Sequence, residues 1–149
     1  MVNKWEKAFM ETAETFAELS HAKRLKVGAV IVKDKRIISI GYNGMPTGWS
    51  NNCEEIIFPK GYNPKSGIKL EPKTRPEVLH AETNAIAKVA KSSESCYNAD
   101  IYTTTAPCMD CAKLIHQSGI KKVYWRNPHL RTDEGLQFLK KCGMEIEQI

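Results

Sequence analysis

Two short, well-separated segments carry the residues best suited to chemistry: His80-Ala81-Glu82 and Pro107-Cys108-Met109-Asp110-Cys111. One imidazole and two thiolates make a three-ligand set for Zn2+. Structural zinc sites close with four protein ligands, whereas catalytic sites keep a position for water. Zinc held this way lowers the pKa of water from about 15.7 to about 7, which supplies hydroxide at neutral pH. A C-x-x-C pair at a helix start can equally be a redox dithiol, because free N–H groups and the helix dipole favour thiolates in both cases. His80 at the head of another helix, with Glu82 two residues on, favours the metal. Alone, His80 reads as an ordinary histidine and Glu82 as a solvated helix carboxylate. Neither plain reading accounts for their pairing with the cysteines. The set points to a hydrolytic centre with one ion per chain and Glu82 beside the metal, not on it. A structural zinc or redox module that binds a partner is the non-enzymatic alternative. It requires a fourth protein ligand or a reversible dithiol.

The elements that must position these residues follow from periodicity. Trp5, Phe9, Ala13, Phe16 and Ala17 recur at three- and four-residue intervals and predict a helix over residues 3–19. Val27–Val32 and Ile37–Ile40 are rich in β-branched residues and flank Lys33-Asp34-Lys35-Arg36, so they predict a hairpin. Residues 44–79 hold repeated Pro and Gly and show no period, which reads as a long loop insertion. A helix is expected from about 80 to 91, and a strand over Ala99–Thr104. The next helix is expected to open with Pro107 in its first turn and to end before Gly119. A strand over Lys122–Trp125, a helix capped by Thr132 and stopped at Gly143, and a short strand from Glu145 complete the order. Strands joined through helices are expected to be parallel, so the sheet is mixed. The expected fold is a single α/β domain over residues 1–149, with three α-β-α layers around a five-stranded mixed sheet.

Bulk composition agrees with an ordinary globular chain. It has 149 residues, 42% hydrophobic and 26% charged. No apolar run approaches the roughly 20 residues that span a bilayer, so no membrane role is expected. The N-terminal stretch lacks a signal peptide's apolar run and an odd count of five cysteines argues against a disulfide framework, which together predict a cytoplasmic protein. The net charge of +5 suits an anionic ligand, from a nucleotide phosphate to a nucleic acid. A nucleic-acid partner is not expected, because no basic stripe with interleaved aromatics is present. Cys53 is the only cysteine in residues 44–79 and that stretch has no histidine, so no second zinc site is expected.

The pairing of H-x-E with P-C-x-x-C is the signature of zinc nucleobase deaminases. The resemblance extends further. Val27-Gly28-Ala29-Val30-Ile31-Val32, Gly41-Tyr42-Asn43-Gly44-Met45-Pro46, His80-Ala81-Glu82-Thr83-Asn84-Ala85-Ile86 and Thr105–Ile115 together resemble the deoxycytidylate (dCMP) deaminase family, within the cytidine deaminase-like superfamily. The zinc motifs point to the superfamily, and the Gly-Tyr-Asn-Gly-Met-Pro segment points to dCMP. The resemblance implies a reaction in which dCMP gives dUMP and ammonia. It makes Glu82 the acid–base group, with His80, Cys108 and Cys111 on zinc. Asn43 would hydrogen-bond the sugar, Val27 would line the base pocket, and the Ala81 N–H would bind the base carbonyl. Tyr124 would stand near the nucleotide, and Arg24 and Lys26 could meet the 5′-phosphate. The family further implies a homo-oligomer, often a hexamer, with dCTP as activator, dTTP as inhibitor and Mg2+ accompanying a triphosphate effector. Tyr42 and Gly44 would belong to the effector region. A deaminase acting on free cytidine, a tRNA adenosine or single-stranded nucleic acid is the competing enzymatic reading.

Overall fold

The computed structural model describes residues 1–149. Helix α1 (Lys4–Ala17) is opened by Asn3, whose Oδ1 accepts from the N–H groups of Trp5 and Glu6, while the Glu6 carboxylate accepts from the Asn3 N–H at 2.9 Å. This reciprocal cap satisfies donors that have no intrahelical partner. The apolar stripe of α1 buries Phe9, Met10, Ala13 and Ala17.

Strands β1 (Gly28–Lys33) and β2 (Arg36–Tyr42) form the expected hairpin. Only Asp34 and Lys35 turn the chain, with φ of 51° and 58°, while Lys33 and Arg36 already pair across the ladder. Two successive left-handed residues give the turn whose twist matches that of the flanking strands. Residues 44–79 carry more order than their composition predicts. Strand β3 (Glu54–Glu55) pairs antiparallel with β4 (Lys73–Thr74), and Pro64–Ser66 makes one 3-10 turn. The ends of the segment are tied by Gly44 and Leu79, which exchange N–H···O bonds of 3.1 and 2.8 Å. A two-residue ladder is too short to leave a hydrophobic period.

The remaining elements alternate: α2 (Ala81–Ala90), β5 (Asp100–Thr105), α3 (Met109–Gln117), β6 (Lys122–Asn127), α4 (Glu134–Lys141) and β7 (Glu145–Gln148). The sheet order is β2-β1-β5-β6-β7. β1 runs antiparallel to both its neighbours, and β5, β6 and β7 are mutually parallel, so the sheet is mixed as expected. One face carries α1 over Val30, Val32, Tyr102 and Tyr124. The other face carries α2, α3 and α4 over Ala29, Ile31, Ile101 and Val123. The result is three layers, α-β-α. Two helix starts differ from expectation. Cys108 is extended, with φ −68° and ψ 171°, so α3 begins at Met109 and Pro107 precedes the cap. Asp133 occupies the α4 cap position, although the Thr132 hydroxyl still accepts from the Glu134 N–H at 3.1 Å. No helix is long and apolar enough to cross a membrane.

Candidate metal centre and active site

The three candidate metal ligands sit at the starts of two helices. His80 is the extended residue before α2, and Cys108 is the extended residue before α3, its Sγ 3.5 Å from the Cys111 N–H that donates to it. Both helix starts meet at the end of the sheet where β1 begins and β5 ends. His80 Nδ1 lies 3.3 Å from Cys111 Sγ and 3.6 Å from Cys108 Sγ, and the three ligand atoms all lie within 4.8 Å of one another. Zinc bonds of 2.0–2.3 Å at tetrahedral angles put neighbouring donor atoms roughly 3.5–3.8 Å apart, so this nitrogen and two sulfurs fit a zinc ion. Close backbone contacts fix the two starts. A Cβ on Gly41 of β2 would fall on the Ala81 carbonyl, and one on Gly135 of α4 would fall on the Pro107 carbonyl. The first turn of α2 and the segment leading to Cys108 are therefore each pressed against a bare backbone position.

The electrostatics match the donor chemistry. The Cys108 thiol is pulled down to about 4, first by the hydrogen bond with Cys111 and then by His80, against burial. Cys111 is pushed up by that same hydrogen bond and by burial. Two thiol sulfurs and an imidazole nitrogen converge there, the donor types that bind a divalent cation once the thiols are deprotonated. His80 is raised, chiefly by its hydrogen bond with Cys108. Glu82, in the first turn of α2, is only 4% exposed. Burial pushes its carboxyl above the usual carboxylate range, partly opposed by a backbone N–H and by His80. A carboxyl raised by burial beside the candidate ligands is suited to taking up and releasing a proton.

A cavity of about 330 Å³ opens at this point. His80, Ala81, Glu82 and Cys108 line it, as do Val27, Asn43 and Arg24. The Ala81 N–H stands at the first position of α2, where it has no intrahelical acceptor. The Asn43 side chain bridges the chain entering β1: its Oδ1 accepts from the Val27 N–H at 2.8 Å and its Nδ2 donates to the Leu25 carbonyl at 2.9 Å. Five residues named from the sequence do not line the cavity; one of them, Cys111, is buried behind Cys108 and His80. Lys26 Nζ pairs with Glu18 at 3.5 Å on the surface. Tyr124 lies on the opposite face of the sheet, stacked on Tyr102 at 4.4 Å under α1, with its hydroxyl donating to Glu6 at 3.2 Å. Val123, not Tyr124, faces the α2 and α3 side. The Tyr42 carbonyl accepts from Asn84 Nδ2 at 2.9 Å, and Gly44 is held in the bridge to Leu79.

The cavity also gains residues that sequence spacing did not single out. Glu54, Lys73 and Thr74 come from the β3–β4 ladder, and His129, Leu130 and Arg131 come from the β6–α4 connection. Both segments lack periodicity, so only the fold brings them to the site. The Pro, Gly and charged residues that interrupt residues 44–79 were the one available signal of a functional loop.

Comparison with known proteins agrees with this geometry. The family model for the cytidine and deoxycytidylate deaminase zinc-binding region matches residues 3–127. ComE operon protein 2 of Bacillus subtilis is 33% identical over 145 residues, covering 97% of this chain and 71% of that protein. Deoxycytidylate deaminase of Schizosaccharomyces pombe is also 33% identical over 145 residues, but the chain spans only 44% of its length. The solved structure of dCMP deaminase from the cyanophage S-TIM5, in complex with dCMP and dUMP, superposes with a TM-score of 0.84 at 41% identity, covering 100% of this chain and 99% of that one. A zinc-fitting donor set with a buried carboxylate beside it, and a family model matched over most of the sequence, lead to one assignment: the chain belongs to the zinc-binding cytidine and deoxycytidylate deaminase family.

Proposed function

We propose that this protein hydrolyses dCMP to dUMP and ammonia, with zinc held by His80, Cys108 and Cys111 and with Glu82 carrying protons. The observation that carries the reading is the single cavity that joins Glu82, His80 and Cys108 to the cationic side chains of Arg24, Lys73 and Arg131. Such a cavity suits a ligand with a heterocycle at one end and a phosphate at the other. The relative solved with dCMP and dUMP supports the same substrate.

When bound, zinc supplies Lewis acidity that makes water nucleophilic near neutral pH. Glu82 takes a proton from the attacking water and delivers it to N3 of the cytosine as oxygen bonds to C4. It then moves the new hydroxyl proton to the amino nitrogen, which leaves as ammonia while C4 becomes a carbonyl. One water is consumed, and the proton count closes. The Ala81 N–H is available to the base carbonyl oxygen. Val27 gives the base an apolar wall, and Asn43 keeps the Leu25–Val27 segment in place beside the sugar. Arg24 is the residue of the Arg24/Lys26 pair that can meet the phosphate, and Arg131 and Lys73 join it. None of the five cysteines is joined in a disulfide, which supports a reducing, cytoplasmic setting.

Regulation by dCTP and dTTP, with Mg2+ accompanying the triphosphate and Tyr42 and Gly44 in the effector region, extends this reading by family likeness. So does hexameric assembly, which is supported by the exposed Trp49, Ile57, Phe58 and Ile68 of the long loop. The decisive measurement is ammonia release from dCMP, cytidine and oligonucleotides side by side, with and without dCTP. Turnover confined to dCMP supports the proposal, and faster turnover of cytidine or an oligonucleotide replaces it. A flat response to dCTP and dTTP at subsaturating dCMP removes the regulatory part.

A further inference from the structure

Thr83 is a polar residue of α2 that the hydrolytic chemistry does not use, and its hydroxyl is turned to a sulfur. Threonines inside a helix commonly return their hydroxyl proton to the carbonyl four residues back. Thr12 and Thr15 of α1 do so, to the carbonyls of Ala8 at 2.7 Å and Glu11 at 3.0 Å. Thr83 does not. Four residues back stands Leu79, which precedes α2 and whose carbonyl accepts from the Gly44 N–H at 3.1 Å. Thr83 Oγ1 lies instead 3.8 Å from Cys111 Sγ, within reach of a hydrogen bond to sulfur, and makes no other hydrogen bond in the protein.

Cys111 belongs to the zinc reading given above, on which this inference rests. A thiol must lose its proton to bind a metal. The contact with Thr83 then runs one way only, from the hydroxyl to the sulfur, because a thiolate has no proton to give. No other donor is placed to serve Cys111. The one backbone donor to a sulfur, the Cys111 N–H, goes to Cys108 Sγ at 3.5 Å. His80 Nδ1, 3.3 Å from Cys111 Sγ, is needed for the metal, and the nearby Glu82 carboxyl is needed for proton transfer. Cys111 is only 2% exposed, so solvent cannot replace a missing donor. We infer that Thr83 is a positioning residue of the metal centre: its hydroxyl donates a hydrogen bond to the Cys111 thiolate, holding that buried sulfur in its ligand form and drawing off charge that would otherwise weaken the pull of the metal on water.

The test measures the zinc affinity of the full chain by competition with a chromophoric chelator, and the sulfur-to-metal charge-transfer band after zinc is exchanged for Co2+. Thr83→Val keeps the shape of the side chain and removes the donor. It is expected to bind zinc roughly tenfold to a hundredfold more weakly, the usual weight of a hydrogen-bonding partner behind a metal ligand. Its cobalt band should move to longer wavelength, because a sulfur without its donor gives up charge more readily. Thr83→Ser keeps the hydroxyl and loses only the methyl, so it should return both readouts to wild type. A merely structural role would weaken Ser along with Val and leave the band in place. Equal weakening in Thr83→Val and Thr83→Ser therefore overturns the inference, as does a Thr83→Val protein with wild-type affinity and an unmoved band. If Thr83→Val fails to fold, Thr83→Ala against Thr83→Ser supplies the same contrast. A wild-type chain that takes up no zinc is a different failure: it overturns the metal reading, and the role of Thr83 with it.

Discussion

Glu82 and Cys108 separate the two halves of the site's work. Glu82→Ala removes the only carboxylate in the first turn of α2 while leaving all three donor atoms in place. It is expected to keep close to one zinc per chain and to lose roughly 100-fold to 10,000-fold in kcat, the usual weight of general acid–base catalysis. Near-normal turnover in that variant would take Glu82 out of the mechanism. Cys108→Ala leaves one sulfur and one nitrogen, and zinc measured by elemental analysis should fall well below one per chain. Asp100 offers a check that does not involve the site. Its Oδ1 is buried without a partner, and burial raises its carboxyl despite Lys121 and Lys122 nearby. A raised acid binds its proton more tightly in the folded state, so ionisation destabilises the fold at neutral pH and the penalty fades as pH falls through the folded pKa. Asp100→Asn should therefore unfold at higher urea than wild type at pH 7, with the gap closing in acid. A gap that is constant with pH would mean burial of this carboxyl plays no part.

At the scale of elements, the site depends on how tightly two helix starts are pressed into place. Gly41→Ala must push the first turn of α2 away from β2, and Gly135→Ala must push α4 away from the segment before Cys108. Overpacking of this kind costs about 1–3 kcal/mol. Displacement of a catalytic group by about 1 Å costs on the order of 100-fold in rate. Each variant is expected to lose more activity than its fall in urea midpoint alone explains, and activity that tracks the folded fraction would count against this role. The hairpin, the start of α2 and the ligand set were legible in the sequence because each leaves a dense local signal: β-branched runs around a polar turn, or chemistry-bearing residues at fixed spacing. The face of Tyr124 was not legible. β5 and β6 are covered on both sides, so their sequences do not alternate, and only the register Tyr102↔Tyr124 shows that both rings lie under α1. Glu54 was hidden for a related reason. It stands in a two-residue strand whose partner lies across an aperiodic loop, so only the fold brings it to the cavity.

At the scale of the whole molecule, the long segment between β2 and α2 does two jobs. Its inner ladder supplies Glu54, Lys73 and Thr74 to the cavity, while its outer part exposes Phe58, 65% accessible and 5.4 Å from Tyr62, beside Ile57. If that apolar surface joins copies of the chain, Ile57→Asp with Phe58→Glu should lower the mass found by sedimentation while leaving the circular dichroism spectrum unchanged. An unchanged mass would send the search for the contact to another face. The opposite end of the sheet has another use. β1 carries the chain from Val27, at the cavity wall, to the turn at Asp34 and Lys35, roughly 20 Å away at the rise of a strand. Both turn residues are exposed, and neither contributes to the reaction. A fluorophore or short peptide grafted between them would ride on the far rim of the enzyme, giving a handle for immobilisation or single-molecule work that leaves nucleotide turnover intact.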